Sequence, residues 1–526
     1  RKDWLQTYAD GLELLGLKLE TRTEPWSGAC GVYHPLLAEA LVKFQSETVM
    51  ETLPSSGPVK TKIIGKETPE NQRAATNVAA DMNYWLMDKM PEYRGEHERM
   101  LWGLGLSGNA FKKVYYDVPL GRVVSKFVPA DELIVPYTAT SLDDAEAVIH
   151  TVKISENELR KQQVNGFYSD VELGPPGTDT NGELSKKERE LEGTKKTGKN
   201  EPIYTLLECH VNLDLEGFED VGEDGEPTGI KLPYLVTVDE GSRKVLSIRR
   251  NYAPDDLKKT KIQYFVHFKF LPGLGFYGFG LIHMIGGLSR TATSALRQLL
   301  DAGTLSNLPA GFKQRGVRVR DEASPIQPGE FKDVDAPGGS LRDAFFPLPY
   351  KEPSAVLYQL LGSIVEEGRN IASIADLKIS DMNSQAPVGT TLAILERGMK
   401  VMSGVNARIF AAMKQEFRLL ASLIKNFAPA EYEYEVEEGA TRTKDYDDRV
   451  DILPVANPNA STMAHRIMRH QAIQQMSLGA PEIYDKKELH RSALVAMGEE
   501  NVDKLIPVDD EMKPMDPVAE NMAIMT

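Results

Sequence analysis

Two glycine runs in this chain have the spacing of a phosphate-binding turn. Gly103, Gly105 and Gly108 lie in WGLGLSGNAFKK, and Gly273, Gly275 and Gly278, followed by Gly280, lie in LPGLGFYGFG. A GxGxxG turn binds pyrophosphate when it leaves a strand and opens a helix, because the glycines let backbone approach the ligand and the helix N-terminus offers amides. The first run passes from helix into strand, the reverse order, and reads as a tight turn. The second follows the strand-like YFVHFKF and precedes a helix. However, Phe276, Tyr277 and Phe279 crowd it, its helix leads into a proline-rich excursion, and Asp301 lies too far on for a ribose carboxylate. A hinge at Gly273, Gly275, Gly278 and Gly280, where a helix leaves the body, is the favoured reading; a nucleotide-binding enzyme using this turn is its rival.

Other chemistry has no carrier in the sequence. There is no GxxxxGK[ST], HExxH or GxSxG, and His465 and His470, five apart, share a helix face poorly. Cys30 and Cys209 lack CxxC spacing, which argues against a thiolate zinc site or a disulfide framework and for a reducing cytoplasm. Thus no catalytic residue, metal or cofactor is expected. Glu431, Glu433, Glu435 and Glu437 alternate with Tyr432, Tyr434 and Val436, as in a strand with one solvated acidic face. Lys313, Arg315, Arg318 and Arg320 form the main basic cluster. Pairing with Asp321 and Glu322, or contact with phosphate or an acidic partner, would each account for it.

These residues need elements to hold them. The chain has 526 residues, 41% hydrophobic and 26% charged, which suits a folded protein of two to four substructures. No apolar stretch is long enough for a membrane span and no basic-then-apolar leader is seen, while Arg1 in place of Met leads us to expect residues before it. Helical spacing appears at Leu36, Leu37, Ala40, Leu41 and Phe44, at Val78 to Met90 ending before Pro91, and over 96–106. Strand-like segments follow at 110–116, 121–128 and 147–152, then, after a polar insertion at 163–202 expected to be mobile, at 203–213, 234–238 and 244–249 as an antiparallel meander.

Beyond His267 the pattern is helix, excursion, helix, loop, long helix. An amphipathic helix spans 281–302, a proline-rich excursion 304–353, a second helix 354–377 and a polar loop 378–389. A long helix then bears a stripe from Leu395 to Phe427, with a kink at Gly404. Pro429 ends it, and two further helices are expected at 461–476 and 485–497. The fold class is α+β.

The segments YGFGLIHMIGGLSRTATSALRQLLDAGTLSNLPAGF and NSQAPVGTTLAILERG resemble the portal family of tailed bacteriophages, as does the order of elements, most closely over 252–427. The resemblance implies a wing (1–281 and 390–455), a first stem helix (282–303), a clip (304–353), a second stem helix (354–377), a tunnel loop (378–389) and a helical crown with a C-terminal tail (456–526). It implies a ring of twelve copies at one capsid vertex that performs no bond chemistry, passes double-stranded DNA non-specifically in packaging and ejection, and is made in the host cytoplasm. The expected partners are the terminase large subunit, head-completion or tail adaptor proteins, and the major capsid and scaffolding proteins. Ser380, Asp381, Asn383, Ser384 and Gln385 would line or gate the channel, and the basic cluster would sit on the docking clip. The net charge of -16 argues against a coat that grips nucleic acid, but an acidic wall suits a conduit. A membrane-associated pore is a third reading, for which no apolar band is visible.

Overall fold

The computed structural model describes residues 2–17, 20–175, 203–221, 226–307, 311–313, 315, 318–319, 333–335, 345–372, 388–434, 436, 439–455 and 485–497, with short stretches at 187, 190–191, 470, 473–477, 479 and 505–506. Its helices are α1 (Lys2–Leu14), α2 (Leu36–Thr52), α3 (Pro69–Tyr84), α4 (Tyr93–Ser107), α5 (Glu156–Val164), α6 (Leu281–Asn307), α7 (Ala355–Ile371), α8 (Val388–Phe427), α9 (Arg442–Asp445) and α10 (Lys486–Met497). The strands are β1 (Val59–Ile63), β2 (Asn109–Asp117), β3 (Arg122–Val128), β4 (Leu133–Ile134), β5 (Ala147–Ser155), β6 (Ile203–Leu213), β7 (Leu232–Asp239), β8 (Val245–Arg250), β9 (Phe265–Lys269), β10 (Gly311–Lys313), β11 (Arg318–Val319), β12 (Val334–Asp335), β13 (Phe345–Pro347) and β14 (Val450–Pro454). Helix and sheet are mixed, so the α+β class holds. The chain divides into two compact units, one of Arg1–Glu47, Glu96–Lys113 and Lys126–Asp376, the other of Thr48–Gly95, Val114–Ser125 and Leu377–Thr526.

The first unit is built on a five-stranded antiparallel meander in the order β4-β5-β6-β7-β8. Alternation carries it: Ile154, Tyr204, Leu206 and Leu246 pack with Leu159 of α5 in one cluster. A second cluster gathers Phe111, Leu133, Val148, Phe265 and Phe276. Ser155 ends β5 and caps α5, its hydroxyl accepting from Glu158 N at 3.3 Å. Between the strands sits a charged group: Lys113 Nζ lies 2.6 Å from Glu208 and His210 Nε2 lies 3.0 Å from the same carboxylate. Burial pushes the Glu208 carboxyl up, but Lys113 and His210 outweigh it and hold the group well below the usual carboxylate range. Burial, with Lys113 nearby, brings His150 down to about 3, so its imidazole is neutral.

The second unit pairs β1 with β14 from Val59↔Pro454 to Ile63↔Val450 and packs α3 and α8 on that ribbon. Thr68 caps α3, with Pro69 following in the first turn where no amide is needed. The helix does not continue regularly to Pro91. Trp85–Lys89 is a π turn, with Met90 N bonded to Trp85 O at 2.9 Å, which keeps Trp85 and Leu86 both buried. Arg442 is buried against Asp81, with Nε and one terminal nitrogen 2.9 and 3.0 Å from the two carboxylate oxygens, and Tyr446 adds a hydroxyl at 2.8 Å. The expected acidic strand after α8 is also corrected: 431–434 is bent and pairs with no strand among the described residues, while Glu435 and Glu437 lie outside them. Tyr432 and Tyr434 do point inward and Glu433 outward, but Arg442 takes the carbonyls of Pro429 and Glu431, the acceptors a ladder would use. α8 runs unbroken through Gly404. The polar insertion beyond residue 175 falls mostly outside the described residues, as does most of 461–476.

Candidate functional site: a helical hairpin, its root and its tip

α6 begins where the two glycine runs meet. Gly108, at the end of α4, has φ +86 and accepts from Phe270 N at 3.1 Å. The next residue, buried Asn109, clamps the second run: its Nδ2 donates to Gly278 O at 3.0 Å and its Oδ1 accepts from Gly278 N at 2.7 Å. This pair fixes the orientation of the amide, so His267 Nε2, 3.1 Å from the same Oδ1, is the donor. Burial holds the His267 imidazole well below its usual range and therefore neutral. Leu271 and Phe279 exchange backbone bonds across the turn.

The glycines are needed for close approach. A Cβ on Gly280 would lie 2.4 Å from Gly108 N and from Leu106 O, one on Gly278 would lie 2.4 Å from Leu271 O, and one on Gly273 would lie 2.0 Å from Tyr277 O. Only Gly275, of the four, faces open space. The turn's amides are also committed, Gly278 N to Asn109, Phe279 N to Leu271 O and Gly280 N to His283 Nδ1. A pyrophosphate would have to displace all three, so the geometry disfavours a nucleotide here. Gly105, in the first run, lets α4 approach α2, since its Cβ would meet Leu41 and Phe44 at 2.7 and 2.8 Å.

α6 and α7 form an antiparallel hairpin sealed by Ala292, Ala295 and Leu361, with Leu296, Leu299, Leu357, Ile364 and Val365 around them. Apolar residues at helical spacing on both helices produce this seam. Ser354 caps α7 through Leu357 N. The N-terminal segment covers one side of the hairpin. Arg297 donates to Val32 O and Glu20 and lies over the Tyr33 ring, while His34 N donates to Thr293. Asp301, rejected above as a ribose ligand, accepts from Cys30 N at 2.8 Å and pairs with Arg22. Burial, reinforced by Glu20 and Glu13, pushes the Tyr33 phenol up to about 12. Near the root, Gly368 allows α7 to touch Leu36, which a Cβ would meet at 2.6 Å.

The tip carries two short ribbons, β10 with β13 and β11 with β12. Lys313 ends β10, Arg318 begins β11 and exposed Arg315 lies between them, so three of the four basic positions fall in one stretch; Arg320 lies outside the described residues. Phe312 and Phe346 stand opposite each other in the first ribbon and are 65% and 61% exposed. Ser380, Asp381, Asn383, Ser384 and Gln385 lie outside the described residues.

A model of the family described as phage SU10 portal protein matches residues 70–479. The chain belongs to the phage SU10 portal protein family. The matched span holds the whole hairpin, its root and α8. Among curated proteins, none matches the chain. In this portal-family chain, no helix among the described residues is long and apolar enough to cross a membrane, and none of their side chains form a cluster suited to a metal ion. Sequence reading missed Asn109, whose partners Gly278 and His267 are 169 and 158 residues away, and the Phe312–Phe346 pair. Only the strand-like spacing of GFK and FFP signalled the latter.

Proposed function

We propose that this portal-family chain assembles into a closed ring, of twelve copies in the virion, through which double-stranded DNA enters and leaves the capsid at one vertex. The observation that supports it best is the α6–α7 hairpin, an antiparallel pair that, among the described residues, is covered on its α6 side by the N-terminal segment and leaves apolar side chains of α7 exposed. Val356, Tyr358 and Leu360 remain 74%, 70% and 50% exposed on α7. Val356 and Leu360 lie on one flank of the seam and Tyr358 on the other, at 100° per residue, and apolar surface of this kind is covered when copies stand side by side around an axis. The hairpin acts as the stem, 304–353 as the clip and 378–389 as the loop lining the channel.

The clip docks the terminase large subunit during packaging and head-completion or tail adaptor proteins afterwards. Exposed Phe312 and Phe346 supply apolar contact, and Lys313, Arg315, Arg318 and Arg320 select acidic partners. The close-packed glycine root fixes the direction in which the stem leaves the wing, leaving Gly275 as the point of give. The ring meets major capsid and scaffolding proteins as the head is built in the host cytoplasm, and itself breaks no bonds. Native mass spectrometry and negative-stain images of the purified chain are expected to show closed rings. A monodisperse monomer at high concentration would overturn the proposal.

A further inference from the structure

We infer that neighbouring copies join along the hairpin through a head-to-tail ion pair, Arg290 of α6 against Glu366 of α7 in the next copy; this rests on the ring reading above. Both residues are exposed. At 100° per residue, Arg290 lies about 160° around α6 from seam residue Ala292, and Glu366 about 140° around α7 from seam residue Leu361. They therefore occupy opposite outer edges of the hairpin; on the α6 edge the N-terminal segment lies against Arg297 and Asp301, which share a face with Arg290, while Arg290 itself stays exposed. One edge presents a guanidinium, and the other presents Glu366 beside Glu367.

The two positions also share a level along the hairpin. Gly303 lies beside Pro353, where a Cβ would be 3.7 Å from Pro353 Cγ. Counting thirteen residues back along α6 reaches Arg290, and thirteen forward from Pro353 reaches Glu366, both about 20 Å in the same direction at helical rise because the helices are antiparallel. Rotation about a ring axis leaves height along that axis unchanged. With the hairpin running along the axis, edges of opposite charge at one level meet between copies and repeat at every interface. The occupant is thus a second copy of this chain. Within one copy, Glu13 of α1 also feels Arg290, but its carboxylate is bonded to Lys187 Nζ at 2.7 Å.

The test compares the full chain with Arg290→Glu, Glu366→Arg and the double reversal by native mass spectrometry. Each single reversal sets like charges face to face and is expected to lower the ring fraction roughly tenfold at about 50 mM salt, with a smaller effect at high salt. The double reversal should restore rings to within about twofold of wild type. A wild type that stays monomeric overturns the ring reading and this contact with it. Wild-type rings that tolerate both single reversals, or a folded double variant that stays monomeric, overturn the contact alone. Should the reversals unfold the chain, Arg290→Gln and Glu366→Gln replace them: rings less sensitive to salt than wild type support the pair, and unchanged salt sensitivity refutes it.

Discussion

Asn109 and the glycines around it decide where a helix of 27 residues points. One amide bonds both backbone groups of Gly278, and the space a side chain would need at Gly280 is already filled by backbone of 106–108. Backbone cannot rotate aside as a side chain can, so an added methyl there forces the junction apart. Gly280→Ala is expected to cost about 3 kcal/mol or more, while Gly275→Ala, in open space, stays within about 0.5 kcal/mol. Urea unfolding of the full chain measures both. Equal midpoints for the two variants would mean that the root is a loose hinge along its whole length.

The helices of the second unit converge on one buried ion pair. Arg442→Met removes the guanidinium and leaves the Asp81 carboxylate buried with Tyr446 as its remaining donor among the bonds described above, a change expected to cost about 3–5 kcal/mol. Pairing it with Asp81→Leu removes the stranded charge and should recover most of that loss in the same urea measurement; a double variant as unstable as the single one would show that packing, not charge, holds α9 to α3. Periodicity made much of these elements legible beforehand. Leu36, Leu37, Ala40, Leu41 and Phe44 are all buried in α2, and Ile409, Met413, Phe417, Leu420 and Ile424 are all buried in α8. What local spacing could not reveal were partners distant in sequence: Asp81 and Arg442 are 361 residues apart, and Arg442 also takes the carbonyls of Pro429 and Glu431, which explains why 431–434 pairs with no strand among the described residues. The π turn was hidden for a related reason, since Val78, Met82, Trp85 and Leu86 keep one face buried whether the last turn is α or π.

In the proposed channel, an acidic chain must touch phosphate without holding it. The formal charge of -16 supplies the repulsion, and between Lys378 and Gly389 the sequence offers hydroxyls, amides and one carboxylate, Asp381, with no further cation. Contacts of that kind are short-lived and little affected by salt, unlike those of a lysine-lined loop. Deleting 380–385 should therefore leave ring assembly intact, because it removes no residue of the α6–α7 seam or of the inferred edge contact, yet reduce the amount of DNA packaged or retained. Native mass spectrometry reads the first outcome, and nuclease-protected DNA in heads assembled with the variant reads the second. Packaging and retention equal to wild type would remove the loop from the channel. Loss of rings in step with loss of DNA would instead make these residues part of the subunit interface.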